Sequence, residues 1–208
     1  MGICRMAARN AGVALLAVVA VSLAVSLVAG AAGTVAFKDD FSTATLEGRR
    51  ALRGAWEFAD HAASCVQDDE LYKQYKNHGP IIFYDHPFTD GTVAFAFQAR
   101  GAKAVVFTAN GEGGHVFRVS WGDRGMAARV FTPEADTNSV VVGSDETPLP
   151  EGEWIPVEVA LEGDRATLKV GDGPAQTFTH PALARPKTNV SVGFAFGTVS
   201  FRDLRIEP

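Results

Sequence analysis

Cysteine is almost absent from this chain: its 208 residues hold two. One of them, Cys4, lies in the first thirty residues, which leaves Cys65 alone in the remainder. That excludes an intramolecular disulfide and a cysteine metal cluster there. A lone cysteine can be a nucleophile, but only His61 lies near Cys65 in sequence, and the plainer reading is a small buried hydrophobe. Runs of positive charge are equally scarce, none being longer than Arg49-Arg50, and 24 acidic residues against 19 basic ones give a net charge of −5. The chain therefore lacks the basic stripe that nucleic-acid or lipid phosphates would need, and neither partner is expected. Its five histidines show neither H-x-H nor H-E-x-x-H spacing, which argues against a zinc site. The glycine-rich turn at 111–114 lacks the G-K-[ST] ending and the following helix of a phosphate loop. No internal repeat, low-complexity tract or Pro/Ser-rich linker divides the chain.

A long hydrophobic run occurs once. Residues 11–28 are apolar except for Gly12, Ser22 and Ser26, with Arg5 and Arg9 before them and Ala29-Gly30-Ala31 after them. A basic start, an apolar middle and a small-residue end make residues 1–31 a secretory signal peptide. An uncleaved membrane anchor is the alternative, because the run is nearly long enough to span a bilayer. Neither a lipobox cysteine nor a twin-arginine pair is present. The expectation is an exported protein (periplasmic, cell-surface or extracellular) with one domain over residues 34–208. Loss of Arg5 and Arg9 would leave 17 of the 19 basic residues against all 24 acidic ones, a net charge of −7.

What the rest of the chain has in abundance is alternation. Val157, Val159 and Leu161 alternate with Glu158, Ala160 and Glu162, as Ala166, Leu168 and Val170 do with Thr167 and Lys169. This period of two marks half-buried strands, and Gly163-Asp164 and Gly171-Asp172-Gly173 mark the turns between them. Strands are expected at 35–41, 55–59, 71–74, 81–84, 92–99, 104–108, 115–121, 127–131, 139–142, 156–161, 166–170, 176–179 and 190–206. The last reads as two strands meeting at Gly197, with a one-residue bulge near Arg202-Asp203 to bring Leu204 and Ile206 into phase with Val199 and Phe201. Residues 44–52 are the best helical candidate. The fold class is all-β, a two-sheet antiparallel sandwich of the jelly-roll kind.

Alternation also selects outward side chains. Val93, Phe95 and Phe97 share one face, leaving Gln98 and Arg100 on the other; Arg118 opposes His115, Phe117, Val119 and Trp121, and Arg129 is placed like Arg118. Small residues beside Gln98, Arg100, Arg118 and Arg129 would form a shallow polar groove, unless the face is simply solvated. Two polar constellations could carry chemistry. Lys76-Asn77-His78-Gly79-Pro80 puts a cation, an amide and an imidazole at a strand edge. Asn110 to Arg118 brings Glu112, His115 and Arg118 together around glycines. If the two segments meet, His78, His115 and Glu112 could do general acid/base work, with tight turns and structural histidines as the plainer account. Trp121, Tyr72, Tyr75 and Tyr84 are candidates for stacking on a sugar ring, whereas Trp56 and Trp154 read as core. Asp40 and Asp203, near the two chain ends, are weak candidates for a structural calcium; no other cofactor is expected. Oligomeric state leaves no trace in the sequence.

Taken in order, DDFST, AWEF, FTDGTVAFAF, GEWIPVEVALEGDRATLKVG and VGFAFGTVSFRDLRI resemble the concanavalin-A-like lectin/glucanase jelly rolls. Within that group the chain is most similar to the 3-keto-disaccharide hydrolase-like domains of exported bacterial proteins, over residues 36–206. The resemblance implies a carbohydrate partner, bound or cleaved. It specifies fold more than chemistry, since it is a pattern of strands and turns. The glucanases of this fold carry E-x-D-x-x-E on one strand, and this sequence has no such run, so a paired-carboxylate glucanase is not expected. An enzyme of the resembled kind would act on a 3-keto-glycoside, whose keto group acidifies the neighbouring C–H. His78 or His115 would then serve as base or acid, and Lys76 or Arg118 would stabilise the enolate oxygen. A non-catalytic glycan-binding module, using Asn77, Tyr84, Gln98, Arg100, Trp121 and Arg129 as well, and a structural envelope protein are the alternatives.

Overall fold

Alternating apolar residues leave one face of each strand to be buried, and two such faces closing on each other exclude water from both. The computed structural model describes residues 1–2, 36–133 and 139–208. The expected signal peptide, Cys4 and Val35 lie outside the described residues. The strands fall in the compact unit Gly33–Pro208, and no helix among the described residues is long and apolar enough to cross a membrane.

In chain order the first strands are β1 (Phe37–Asp39), β2 (Arg49–Leu52), β3 (Glu57–Ala59), β4 (Ala62–Val66) and, after helix α1 (Asp69–Gln74), β5 (Ile81–Tyr84). Then come β6 (Gly91–Arg100), β7 (Ala104–Gly111), β8 (Gly114–Gly122), β9 (Gly125–Phe131) and β10 (Ser139–Asp145). The last five are β11 (Ile155–Glu162), β12 (Arg165–Val170), β13 (Gln176–Thr179), β14 (Asn189–Ala195) and β15 (Thr198–Glu207), with a 3-10 turn at Pro181–Ala184 before β14. One sheet runs β13-β12-β11-β6-β15-β4-β3, with β1 also paired to β15; the other runs β10-β9-β8-β7-β14-β5-β2. All these pairings are antiparallel.

The inner faces meet in one core. Val93, Phe95, Phe97 and Ala99 of β6 oppose Val105, Phe107 and Ala109 of β7, and Val190, Val192 and Phe194 close it beside Val199 and Phe201. Phe95 stacks on Phe107 with ring centroids 5.9 Å apart, and Trp56 meets Phe194 edge-on at 6.1 Å. The bulge expected in β15 is present: Arg202 faces Ala96 while Arg205 faces Ala94, and Asp203 takes a positive φ. Beyond it Leu204 and Ile206 are fully buried, in phase with Val199 and Phe201. The break at Gly197 also stands, but it separates strands of different sheets, because β14 and β15 leave the turn on opposite sides of the sandwich.

Two expectations about elements are corrected, and one strand is added to them. Residues 71–74 are helical, not extended: Asp68 caps α1 by accepting from the amides of Glu70 and Leu71, Asp69 and Glu70 sit in the first turn, and Lys73 in the last. Residues 44–52 contain no helix, and 49–52 form β2, where Arg49 points inward. Strand β4, unforeseen, buries only the small Ala63 and Cys65, and it joins β3 through Asp60-His61, both at positive φ as a tight hairpin turn requires.

Arg49 is held by a buried network. Its Nη1 donates to both carboxylate oxygens of Asp39 at 2.9 and 2.8 Å, and its Nη2 donates to the Thr43 carbonyl at 2.6 Å. Asp39 also accepts from the Phe41 amide (2.9 Å) and the Tyr84 hydroxyl (3.2 Å). The guanidinium lies 4.1 Å from the centre of the Phe58 ring. Each charge thus has an opposite partner and further hydrogen bonds, the condition for burying an ion pair.

Candidate functional site

The outer face of the seven-stranded sheet carries a groove of about 450 Å³. Its floor comes from the outward residues of four central strands: Val106, Thr108 and Asn110 on β7, Arg118 and Ser120 on β8, Arg129 on β9, and Ser191 and Gly193 on β14. Ile81 and Phe83 of β5 continue it, and Arg53, Asn77 and His78 form a wall. Small residues in the middle leave the space, and long polar ones surround it.

His115 enters this groove through a break in alternation. Strict alternation turns it inward with Phe117. The β7–β8 register instead pairs Ala109 with Phe117 and Asn110 with His115, so one extra residue, Val116, is accommodated between them. The bulge moves His115 onto the face of Arg118. There Arg118 Nη2 donates to His115 Nε2 at 2.7 Å. A guanidinium can only donate, so Nε2 accepts and the ring proton sits on Nδ1, which donates to Asn110 Oδ1 at 2.6 Å. Asn110 in turn donates through Nδ2 to Asn189 Oδ1 at 2.8 Å. Arg118 Nε reaches the Thr108 hydroxyl at 3.2 Å, and its guanidinium lies 5.4 Å from the centre of the Phe131 ring. His115 thereby orients Arg118, and its Nε2 lone pair is occupied, which removes it as a base in this arrangement.

His78 differs. Its Nδ1 lies 2.9 Å from the Tyr75 carbonyl and 3.1 Å from that of Lys76. Two acceptors place the proton on Nδ1 and leave the Nε2 lone pair for a ligand. The segment holding His78 is tightly determined. Lys76 and Asn77 both adopt positive φ at the end of α1, and a Cβ on Gly79 would run into the Phe194 carbonyl oxygen. Holding a lysine in that region costs about 1–2 kcal/mol, so the surrounding bonds must impose it.

The groove is electropositive. Arg118 and Arg129 face each other across β8 and β9, and burial, then the charge of Arg129, lowers the Arg118 pKa below the usual guanidinium value. Arg53 adds a third guanidinium, over the Tyr75 ring at 5.7 Å. No Asp or Glu among the described residues lines the groove.

Of the residues anticipated from sequence, the structure brings Asn77, His78, His115, Arg118 and Arg129 together. Others are elsewhere. Gln98 and Arg100 do face outward, but from β6 in the other sheet, where Gln98 Nε2 donates to the Gly152 carbonyl at 2.8 Å. Lys76 and Glu112 are exposed and line no part of the groove; Glu112 accepts from Arg185 Nη2 only through its backbone carbonyl, at 3.4 Å. Tyr84 is wholly buried and Trp121 is 4% exposed against Phe97, so neither ring can stack on a ligand. Trp154, expected in the core, is half-buried on the outer face of the eight-stranded sheet, with the Arg202 guanidinium 4.2 Å from its ring centre. Asp40 accepts from the Ser42 amide, and Asp203 lies 3.4 Å from Arg202. Among the described residues no three His, Cys, Asp or Glu side chains converge. Thr108, Asn110 and Ser191 are groove residues beyond the sequence-based candidates, although the polar positions in V-F-T-A-N and N-V-S-V-G mark their outward faces.

No family profile and no curated protein matches the sequence. Solved structures do match by shape. A carbohydrate binding module from Bacillus subtilis superposes with a TM-score of 0.59 at 13% identity, over 77% of this chain and 96% of the module. A beta-glucanase from Bacillus licheniformis gives 0.62 at 10%, over 83% and 97%. A Bacillus subtilis protein of unknown function with a galectin-like fold gives 0.62 at 12%, over 84% and 96%. The strand order, the two closed inner faces and these neighbours together make the chain a concanavalin-A-like jelly-roll sandwich.

Proposed function

We propose that the protein is an exported carbohydrate-binding jelly roll whose ligand lies in the groove of the seven-stranded sheet. The observation that carries this reading is the groove itself: serines and a glycine make an open floor, and Asn77, His78, Thr108, Arg118 and Arg129 ring it with hydrogen-bonding groups. Sugar hydroxyls, spread around a ring as donors and acceptors, are matched by such a perimeter. Two of the structural neighbours are named for binding or cleaving carbohydrate, which supports the same reading. Export rests on the signal-peptide pattern of residues 1–31.

A catalytic version has one observation in its favour, the unoccupied Nε2 of His78. On a 3-keto-glycoside that nitrogen would take the acidified C–H proton, and Arg118 would steady the enolate oxygen. Paired-carboxylate hydrolysis has no support, because no carboxylate among the described residues lines the groove. The test is an NMR titration of the full chain with a panel of ordinary oligosaccharides and 3-keto-disaccharides. Shifts centred on β7, β8 and β14 are expected, abolished by Arg118→Gln. Shifts on the outer face of β6 would overturn the assignment. Product formation lost in His78→Gln would establish the catalytic version.

A further inference from the structure

Resting on the glycan reading, we infer that the groove takes an acidic sugar, its carboxylate or sulfate held between Arg118 and Arg129. Two guanidiniums directly opposed across a strand pair repel each other, and such pairs destabilise a sheet unless something negative lies between them. Elsewhere among the described residues, four strand arginines have that compensation (Arg49 with Asp39, Arg50 with Asp85, Arg202 with Asp203, Arg205 with Glu207), and Arg100 and Arg165 lie opposite Thr198 and Glu162, not opposite another arginine. Here none exists. Arg129 has no hydrogen-bond or ion-pair partner among the described residues, and Arg118 is held by neutral acceptors, His115 and Thr108. Neutral acceptors fix the direction of a guanidinium without cancelling its charge, which is what a preorganised oxyanion site requires.

The contrast with the rest of the molecule strengthens the case. The chain carries 24 acidic residues against 19 basic ones, yet among the described residues no carboxylate lines this groove. Charge repulsion between Arg118 and Arg129 is retained at a place where a single Asp would relieve it. The arrangement is not a nucleic-acid track, since a groove of about 450 Å³ with no basic run beside it accommodates a small anion and not a phosphate backbone. Ser120, Ser191 and Gly193 leave room beside the arginines for the ring that bears the charge.

Calorimetry on the full chain would compare four probes: an oligouronide, the same oligosaccharide with its carboxyls reduced to alcohols, a sulfated oligosaccharide, and inorganic sulfate alone. The expected result is that one of the acidic sugars binds tighter than the reduced one by on the order of tenfold to a hundredfold, the range of a charge-assisted hydrogen bond. Which of the two wins separates carboxylate from sulfate. Added salt should weaken only the acidic ligand, and Arg129→Gln should bring it down to the affinity of the reduced sugar. If the reduced sugar binds as tightly as both acidic ones, this inference falls while the glycan reading stands. If inorganic sulfate matches the acidic sugars, the groove is an anion site that ignores the ring, and the inference falls. If no probe binds, both readings fall. The comparison among ligands is made on the unmutated chain, so it decides the matter even where Arg129→Gln folds poorly.

Discussion

Removing the carboxylate of Asp39 tests how the two chain ends are held. Its two oxygens receive Arg49 at 2.8 and 2.9 Å, and both side chains are 2% exposed. Asp39→Ala leaves a guanidinium inside the sandwich with only the Thr43 carbonyl and two aromatic rings for company. It also strips the acceptor from the Tyr84 hydroxyl and the Phe41 amide. An uncompensated buried charge costs about 3–5 kcal/mol. A unit of roughly 175 residues unfolds with an entropy of about 0.37 kcal/mol per degree, so Tm should fall by about 8–14 °C. Thermal and urea unfolding followed by circular dichroism would read the loss. The decisive comparison is Asp39→Leu combined with Arg49→Met and Tyr84→Phe, in which no polar group of the triad is left without its partner. That variant should recover most of the loss, since a buried pair contributes little beyond an apolar replacement. A single variant that loses less than about 1 kcal/mol, or a triple variant no better than the single, refutes the reasoning.

Three further outcomes are expected. The Cys65 thiol, buried against the core, has its pKa pushed up to about 11 from 9.0, burial being the larger cause and Glu57 the smaller. A raised pKa makes the folded state the better proton binder, so this contribution to stability is complete below pH 9 and is lost as pH rises towards 11; native Cys65 should resist alkylation at pH 8 and react fully in urea, and rapid native labelling would refute the burial. Trp121→Ala should cost about 3–5 kcal/mol by cavity formation, yet sugar affinity measured on the folded fraction should not change, whereas a selective loss of binding would return Trp121 to the ligand site. Gly79→Ala drives a Cβ into the Phe194 carbonyl and should cost about 1–3 kcal/mol while weakening glycan binding through displacement of His78; a variant that binds normally would place His78 outside the site.

The legible parts of this fold are those where one face is large and apolar. Val157, Val159 and Leu161, or Val93, Phe95 and Phe97, announce their strands because every second residue buries a branched or aromatic side chain. Strand β4 buries Ala63 and Cys65, and β2 buries an arginine, so neither carries that contrast. Helix α1 is short and lies between two extended segments, and its one clear mark, the capping Asp68 followed by Asp69 and Glu70, is a signal of charge placement and not of hydrophobic period. Alternation does mark Gln98, Arg100, Arg118 and Arg129 as outward, but it does not say which of two sheets a strand joins. That information lies in pairings between residues far apart, such as Val190 with Ala109 and Phe201 with Phe97. His115 stands out by its chemistry while its phase puts it on the inner face, and only the Val116 bulge explains how it meets Arg118. Arg53, far from the rest in sequence, announces nothing.

The turn at Phe196-Gly197 has a temporal meaning. The strand before it sits between β7 and β5, and the strand after it joins β6 to β4 and β1, so residues 189–207 supply a central member of each layer. Until residues 189–207 emerge, Ile82 and Phe107 on one side, and Phe97 and Ala63 on the other, have no strand to join them. A nascent chain lacking residues 189–207 is therefore two unfinished half-sheets, and folding becomes an event of completion with mostly distant contacts to close. Such a molecule stays threadable while residues 189–207 are missing, and locks once they have paired.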